Sequence, residues 1–339
     1  MKIIIIFFTL FIWINSKAQQ HLIAFYNLEN FFDTLNDSMV LDEEFLPTGS
    51  RHYNTEIYTQ KLNNMISVLN SLGWEKEKRH PVIIGLAEFE NQHILIDIIQ
   101  KLNQQGSRYK YAHLNSHDAR GIDVGIIYDS HHFKPYEYYL LKHLDSPVKF
   151  YLNREIFYIN GKLDSEFIHL FVCHFPSRRG GANVSNNSRI LAATIVWQKC
   201  LKIWKKEKYA NIIVMGDMND NPNDLSMVKG LHSVGDYHKV ELQSLFNPFS
   251  EIFKQGKGTL AHNDEWALFD QILVSGNFIN QKKSGWHWIK ANIFKDDFMI
   301  EKYGRYKGYP KRTWNNIFFQ NGFSDHFPTY IKLEWQPGK

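Results

Sequence analysis

Cysteine is almost missing from this chain of 339 residues, occurring only as Cys173 and Cys200. The pair is compatible with one disulfide in an oxidising compartment or with two buried free thiols, Cys173 lying in an apolar run and Cys200 in a helical stretch. Internal repeats, low-complexity tracts and Pro/Gly/Ser-rich linkers are absent, so composition marks no boundary between domains. Net charge is small, +4 at pH 7, so only local patches can argue for a polyanionic partner. Long hydrophobic runs are also lacking: the apolar stretch at residues 3–14 is shorter than the about 20 residues of a membrane span.

That stretch follows Lys2 and leads into Ser16-Lys17-Ala18, a small-x-small pattern. A cleaved secretory signal over residues 1–18 is the expected reading, with a retained N-terminal anchor as the alternative. No cysteine follows the run, which argues against a lipidated lipoprotein. Cleavage removes Lys2 and Lys17, lowers the net charge to +2 and leaves residues 19–339 as a periplasmic or extracellular protein.

What remains is rich in core-forming residues, 44% hydrophobic and 15% aromatic, enough for a sizeable core. Strands are expected at 22–27, 81–87, 123–128, 155–159, 169–173, 212–215, 269–274 and 328–333. The run ending at Ala87 is apolar throughout, as in a strand covered on both faces. Helical spacing of apolar residues marks 56–72 and 187–206, and Asn91 offers an N-cap for a helix to about Leu102. This mixture predicts an α/β fold of two packed sheets flanked by helices, with a doubly wound open sheet as the competitor on periodicity alone. Candidate site residues spread from Asn27 to His326, so one domain over 19–339 is the economical division.

Polar residues able to do chemistry stand where the apolar runs stop. Asn27 ends the first, Glu88 the second, His174 that of Cys173, and Asp217 the run Ile212-Ile213-Val214-Met215. Such positions lie on a sheet rim, where side chains can converge on a crevice. Each alone reads as a loop polar group or cap; together with Asn219, Asp270 and Ser324-Asp325-His326 they form the set that metal-assisted phosphate ester hydrolysis uses.

In order and context these segments resemble the endonuclease/exonuclease/phosphatase, or DNase I-like, superfamily. The resemblance rests on Phe25-Tyr26-Asn27-Leu28-Glu29, Leu86-Ala87-Glu88, Cys173-His174-Phe175-Pro176, Gly216-Asp217-Met218-Asn219, Phe269-Asp270-Gln271 and Ser324-Asp325-His326. It implies a four-layer sandwich of two mixed β-sheets between helices, and a Mg²⁺-dependent phosphoesterase in which Mn²⁺ can substitute. Glu88 would be the main metal ligand, aided by Asn27 and Asp325. Asp217 would hold or deprotonate the attacking water and Asn219 would donate to a phosphate oxygen. His174 and His326 would flank the phosphate, with Asp270 orienting His326 and keeping it charged.

Outside those motifs, Asp123 is expected to pair with His174 and Arg120 to contact phosphate, against a strand-end salt bridge. Arg178 and Arg189 are further phosphate candidates because guanidinium forks match phosphate oxygens; Arg179 is a weaker one. His262 lies in a loop as a rim contact or a solvated histidine. Residues 282–312 hold nine Lys/Arg against Asp296, Asp297 and Glu301, with Trp286, Trp288, Tyr303, Tyr306 and Tyr309 interleaved. That mixture suits a nucleic-acid groove or a solvated insertion. The alternation Trp286-His287-Trp288 would suit a membrane interface if it exposed two indoles. The first expectation is an exported nuclease acting on DNA or RNA. Alternatives are a phosphodiesterase or phosphatase of phospholipid or inositol phosphate head groups, and an inactive binding module on the same scaffold. No protein partner is implied.

Overall fold

The computed structural model describes residues 18–141, 154–178, 181–280 and 284–337. The segment read as a signal lies outside these except for Ala18, and Arg179, Lys282 and Lys283 lie outside them too. In chain order the first strands are β1 (Gln20–Phe31), β2 (Ile83–Phe89), β3 (Tyr109–His113), β4 (Asp123–Asp129), β5 (Phe133–Leu141), β6 (Ile156–Leu163) and β7 (Glu166–His174). The second half supplies β8 (Asn211–Asp217), β9 (Ser233–Val234), β10 (Leu245–Phe246), the hairpin β11 (Leu260–His262) and β12 (Glu265–Ala267), β13 (Asp270–Ser275), β14 (Gly285–Ile293), the hairpin β15 (Trp314–Asn315) and β16 (Phe318–Phe319), and β17 (Thr329–Gln336). Helices are α1 (Thr55–Ser71), α2 (Trp74–Glu77), α3 (Gln92–Gln104), α4 (Ala182–Lys206) and α5 (Phe249–Lys254).

Two mixed sheets result, in the orders β14-β17-β1-β2-β4-β3 and β5-β6-β7-β8-β13-β10-β9. Their inner faces share one core, to which Phe25, Ile83, Val172, Met215 and Ile272 contribute. Approach is closest where β2 has no side chain: a Cβ at Gly85 would stand 2.5 Å from Met215 Sδ. On the outer face of the first sheet, Leu62, Met65 and Leu69 of α1 and Ile94, Leu95 and Ile98 of α3 cover Leu22, Ala24, Ile84 and Leu86. On the outer face of the second, Ala192, Val196 and Cys200 of α4 cover Phe171, Cys173, Ile212 and Val214. The architecture is therefore the four-layer α/β sandwich of the DNase I-like type, and not an open doubly wound sheet.

The expected cap Asn91 starts its helix, and Asn54 does the same for α1. Asn54 and Asn91 each take extended backbone and accept a hydrogen bond from the first turn, from Ile57 N and His93 N, satisfying otherwise orphaned donors. Of the two readings open for the cysteines the structure takes the second: Cys173 and Cys200 are free thiols in the α4 layer, and burial raises both thiol pKa values. One expectation is corrected. Trp286 and Trp288 do not form an exposed pair: period-two alternation turns both toward the inter-sheet core. Trp286 is 2% exposed, against Trp335 and His21, and Trp288 packs on Phe246. Among the described residues no helix is long and apolar enough to cross a membrane.

Candidate active site

Strand direction gathers the site. β1 and β2 run parallel, as do β7 and β8, so Asn27, Glu88, His174 and Asp217 come out at strand C-terminal ends, the rim where open sheets place their ligands. β13 is antiparallel to β8 and sets Asp270 directly opposite Asp217. His326 lies just ahead of β17, which pairs antiparallel with β1. Local backbone aims the side chains. Glu88 has φ 60° at a register shift between β2 and β4, and Asn219 has φ 48°. A left-handed non-glycine residue costs about 1–3 kcal/mol, and such conformations cluster where a side chain must be re-aimed. Gly216 is needed for close approach, since a Cβ there would lie 2.2 Å from the Cys173 carbonyl oxygen.

Asp217 is the hub and is 2% exposed. Its Oδ2 accepts from Asn27 Nδ2 at 3.0 Å and its Oδ1 from Asn219 N at 2.9 Å. The same Oδ2 lies 3.8 Å from His174 Nε2 and 3.9 Å from His326 Nε2. His326 Nδ1 meets Asp270 Oδ2 at 2.7 Å. On the other side Glu88 Oε2 accepts from Asn30 N at 3.1 Å, while Oε1 stands 3.3 Å from His174 Nε2. That ring nitrogen already accepts a hydrogen bond from Arg154 Nη1. Two acceptor atoms therefore face each other at 3.3 Å with no proton between them, an arrangement that a cation relieves.

The charges separate the two histidines. Burial pushes His174 well below the usual 6.5, and the charges of Arg154, Arg120 and His326 act the same way, so it is a neutral imidazole. Burial would also lower His326, but Asp270 overcomes it by charge and hydrogen bond, aided by Asp217 and Asp325, and its pKa lies well above 6.5. Burial raises Asp217 to about 7; His326 opposes this, whereas Asp270 and Glu88 add to it. Ligand atoms of Glu88, His174 and Asp217 lie within 4.8 Å of one another; with the His174 Nε2 lone pair engaged by Arg154, the two carboxylates are the donors left for a divalent cation, as oxygen-seeking ions prefer.

Several expected residues have other partners. Asp123 does not pair with His174: its Oδ2 meets His113 Nε2 at 2.7 Å and its Oδ1 takes the Ser116 N–H at 2.8 Å, because β3 presents His113 beside the start of β4. Arg189 is 1% exposed and directs Nε to Asp220 Oδ1 at 2.7 Å, and Arg178 reaches the same oxygen at 2.7 Å as well as Asp224. The expectation of phosphate contacts from these two arginines is corrected to a structural one: Asp220 is buried, and a buried carboxylate needs cationic partners. Asn219 gives one amide N–H to Phe175 O at 3.0 Å. Asn27 Oδ1 accepts from Glu29 N at 2.9 Å, so its amide serves Asp217. Asp325 is held by Arg312 Nη2 at 3.0 Å, and its Oδ1 lies 3.9 Å from His326 Nε2. His262 is exposed on the β11–β12 hairpin. Arg120 stays close enough to His174 to lower its pKa, and its Nη2 has no hydrogen-bond partner among the described residues.

Sequence reasoning missed Arg154, which also donates to Phe175 O at 2.8 Å and lies 3.4 Å from Asp118. The pairing explains its place: β6 is antiparallel to β7 with Phe157 opposite Val172, and the same register carried two residues ahead of β6 sets Arg154 opposite Phe175, next to His174. It also missed a buried support beneath the rim. Lys61 Nζ donates to Glu29 O at 2.9 Å and Thr313 Oγ1 at 2.7 Å, while Glu29 accepts from Thr313 N and Trp314 N. Together they tie the end of β1 to the loop that leads to Asp325 and His326.

Residues 22–335 match the family described as Endonuclease/Exonuclease/phosphatase, and the chain belongs to that family. It is a metal-dependent phosphoric ester hydrolase. Solved structures repeat the fold at low identity. An endonuclease/exonuclease/phosphatase family protein from Bacteroides thetaiotaomicron is 17% identical, with TM-score 0.58 over 94% of this chain and 99% of its own. A mannosyl-6-phosphatase of the same organism is 18% identical, with TM-score 0.56 over 92% and 99%. D. rerio TDP2 complexed with a single-strand DNA product is 14% identical, with TM-score 0.55 over 93% and 98%. No curated protein matches the chain in sequence.

Proposed function

We propose that this protein is an exported, Mg²⁺-dependent phosphodiesterase that cleaves nucleic acid, acting as one domain over residues 19–339. Glu88 would hold the cation, opposite Asp217; when bound, such an ion neutralises charge on phosphoryl oxygens. Asp217 accepts the proton of the attacking water. Its raised pKa, about 7, suits a base working near neutrality. His326 carries its proton already, so it serves as the positive partner of the phosphoryl oxygens and not as the base. Neutral His174 accepts the Arg154 N–H on Nε2 and so holds that guanidinium at the rim. Arg120 and Arg154 supply guanidinium charge to the phosphate. Water attacks in line with the leaving oxygen, and no covalent enzyme intermediate forms.

The observation that carries the catalytic reading is the Asp270–His326–Asp217 alignment facing Glu88 and His174. Nucleic acid is favoured by the segment beside it. Lys302, Arg305 and Lys307 are exposed, as are Tyr303 at 80% and Tyr306 at 53%. The segment leads to Arg312, which is joined to Asp325 at 3.0 Å, next to His326. Cationic groups with exposed rings suit a single strand. The membrane reading depended on an exposed indole pair, and Trp286 is buried. The test is hydrolysis of plasmid DNA, RNA oligonucleotides, sphingomyelin and inositol phosphates with Mg²⁺ or EDTA. Turnover of the lipid alone would overturn the nucleic-acid assignment.

A further inference from the structure

A second set of metal-type donors gathers at the far end of the sandwich. His21 stands at the start of β1, His132 in the turn between β4 and β5, and Asp164 in the turn between β6 and β7. His21 Nε2 lies 2.7 Å from Asp164 Oδ2, and His132 Nδ1 lies 2.9 Å from Asp164 Oδ1. One donor atom from each falls within 4.8 Å of the others. From His21 to Asn27 the strand advances about 20 Å at its usual rise, so the cluster is separate from the catalytic rim.

The surroundings hold these side chains in place. Asp164 has φ 52°, a conformation that Asp tolerates better than most residues, and its N–H donates to His132 O at 2.7 Å. The His21 ring is 4% exposed and lies 4.6 Å from the Trp286 ring, whose Nε1 donates to Leu163 O. Gln19 Nε2 donates to Asp164 Oδ2 at 2.9 Å. His21 and His132 also line a cavity of 660 Å³ together with Arg79 and Arg108, which gives access from solvent.

Two imidazoles and one carboxylate make an N₂O donor set. Mg²⁺ and Ca²⁺ prefer oxygen alone, whereas Zn²⁺ and Co²⁺ take nitrogen with oxygen and accept four-coordination with one open position. We propose that His21, His132 and Asp164 form a second metal site, of the Zn²⁺ type, which clamps the first strand to two turns. Seating the ion widens each N···O separation by about half an ångström, toward the ligand spacing of a tetrahedral ion with bonds of about 2.0 Å. Each imidazole turns its lone pair to the metal, with its proton on the other ring nitrogen.

Co²⁺ titration tests this in protein carrying Glu88→Gln and Asp217→Asn, which breaks both groups of metal-type donors at the catalytic rim. One equivalent should give the visible absorption of tetrahedral Co²⁺, displaced by Zn²⁺. A hundredfold excess of Zn²⁺ over its Kd should raise Tm by about 3 °C or more. Adding His132→Ala or Asp164→Asn should abolish both effects with far-UV circular dichroism unchanged. In otherwise wild-type protein, His132→Ala should lower Zn²⁺ bound in equilibrium dialysis by one equivalent. Absence of Co²⁺ binding, or binding that survives His132→Ala, would reduce the cluster to a hydrogen-bonded triad and overturn the proposal.

Discussion

His326 Nδ1 and Asp270 Oδ2 stand 2.7 Å apart, with Asp270 fully buried. β13 supplies the carboxylate and the loop before β17 the imidazole, so the pair bridges the two sheets at their catalytic rim. Its chemical effect is to keep the imidazole protonated: burial works against the charge, and Asp270 outweighs burial.

Asp270→Asn should lower the His326 pKa and move the alkaline limb of the pH–rate profile to lower pH, because an amide cannot stabilise the imidazolium. The same shift has a stability sign. A folded-state pKa above the ordinary 6.5 contributes stability that is complete below 6.5 and is lost as pH climbs through the folded value. Denaturant titrations of wild type and variant should therefore converge at alkaline pH. An unmoved limb would separate His326 from that ionisation.

Asp217→Asn and His326→Ala should each lower turnover by about 10² or more. Their combined effect should be smaller than the product, since both act on one transition state. Single-turnover rates of the two variants and the double variant give the comparison, with folding verified by circular dichroism. Near-normal rates in both single variants would refute the assignment.

Glu88→Gln should remove most activity and weaken Mg²⁺ affinity, because the amide loses the charge that the acceptor pair of Glu88 and His174 presents. Calorimetric titration with Mg²⁺ measures the second effect independently of substrate. Full hydrolysis in excess EDTA would contradict a metal at this site.

Arg154→Ala should cut kcat by at least tenfold, a loss of about 1.4 kcal/mol of transition-state stabilisation. It removes the donor to His174 Nε2 and one guanidinium from the phosphate position. Because Arg154 is among the groups that lower the His174 pKa, the His174 resonance should titrate at higher pH in the variant. Arg154→Lys should restore the charge effect more fully than the rate, since an ammonium cannot keep both the Nη1 contacts to His174 Nε2 and Phe175 O and the Nε contact to Asp118.

Neutralising Lys302, Arg305 and Lys307 should weaken binding of DNA or RNA and flatten its salt dependence. For every phosphate that no longer has a cationic partner, the log–log slope should fall by about 0.7 to 0.9. Turnover of bis-p-nitrophenyl phosphate should hold, because that diester is too short to reach the segment. A slope unchanged from wild type would make the segment a solvated insertion.

Much of this protein is written locally along the chain. Apolar runs ending in Asn27, Glu88, His174 and Asp217 announce both the strands and the rim residues, because a polar side chain at the end of a buried strand can reach a crevice at the sheet edge. Asn91 marks a helix start because its side chain completes a hydrogen bond within a few residues. Pairings between distant segments were the part only the tertiary structure decided. Asp123 could have met His174, but β3 brought His113 beside it. Arg189 could have met phosphate, but α4 buried it against Asp220. Trp286 and Trp288 could have faced a membrane, but the pleat of β14 turned them inward. Arg154, Lys61 and the His21–His132–Asp164 cluster carry no local signature, since each acquires its partners from strands or loops far away in the chain. A side chain's neighbours across a sheet depend on register and layer order, which no short stretch of sequence specifies.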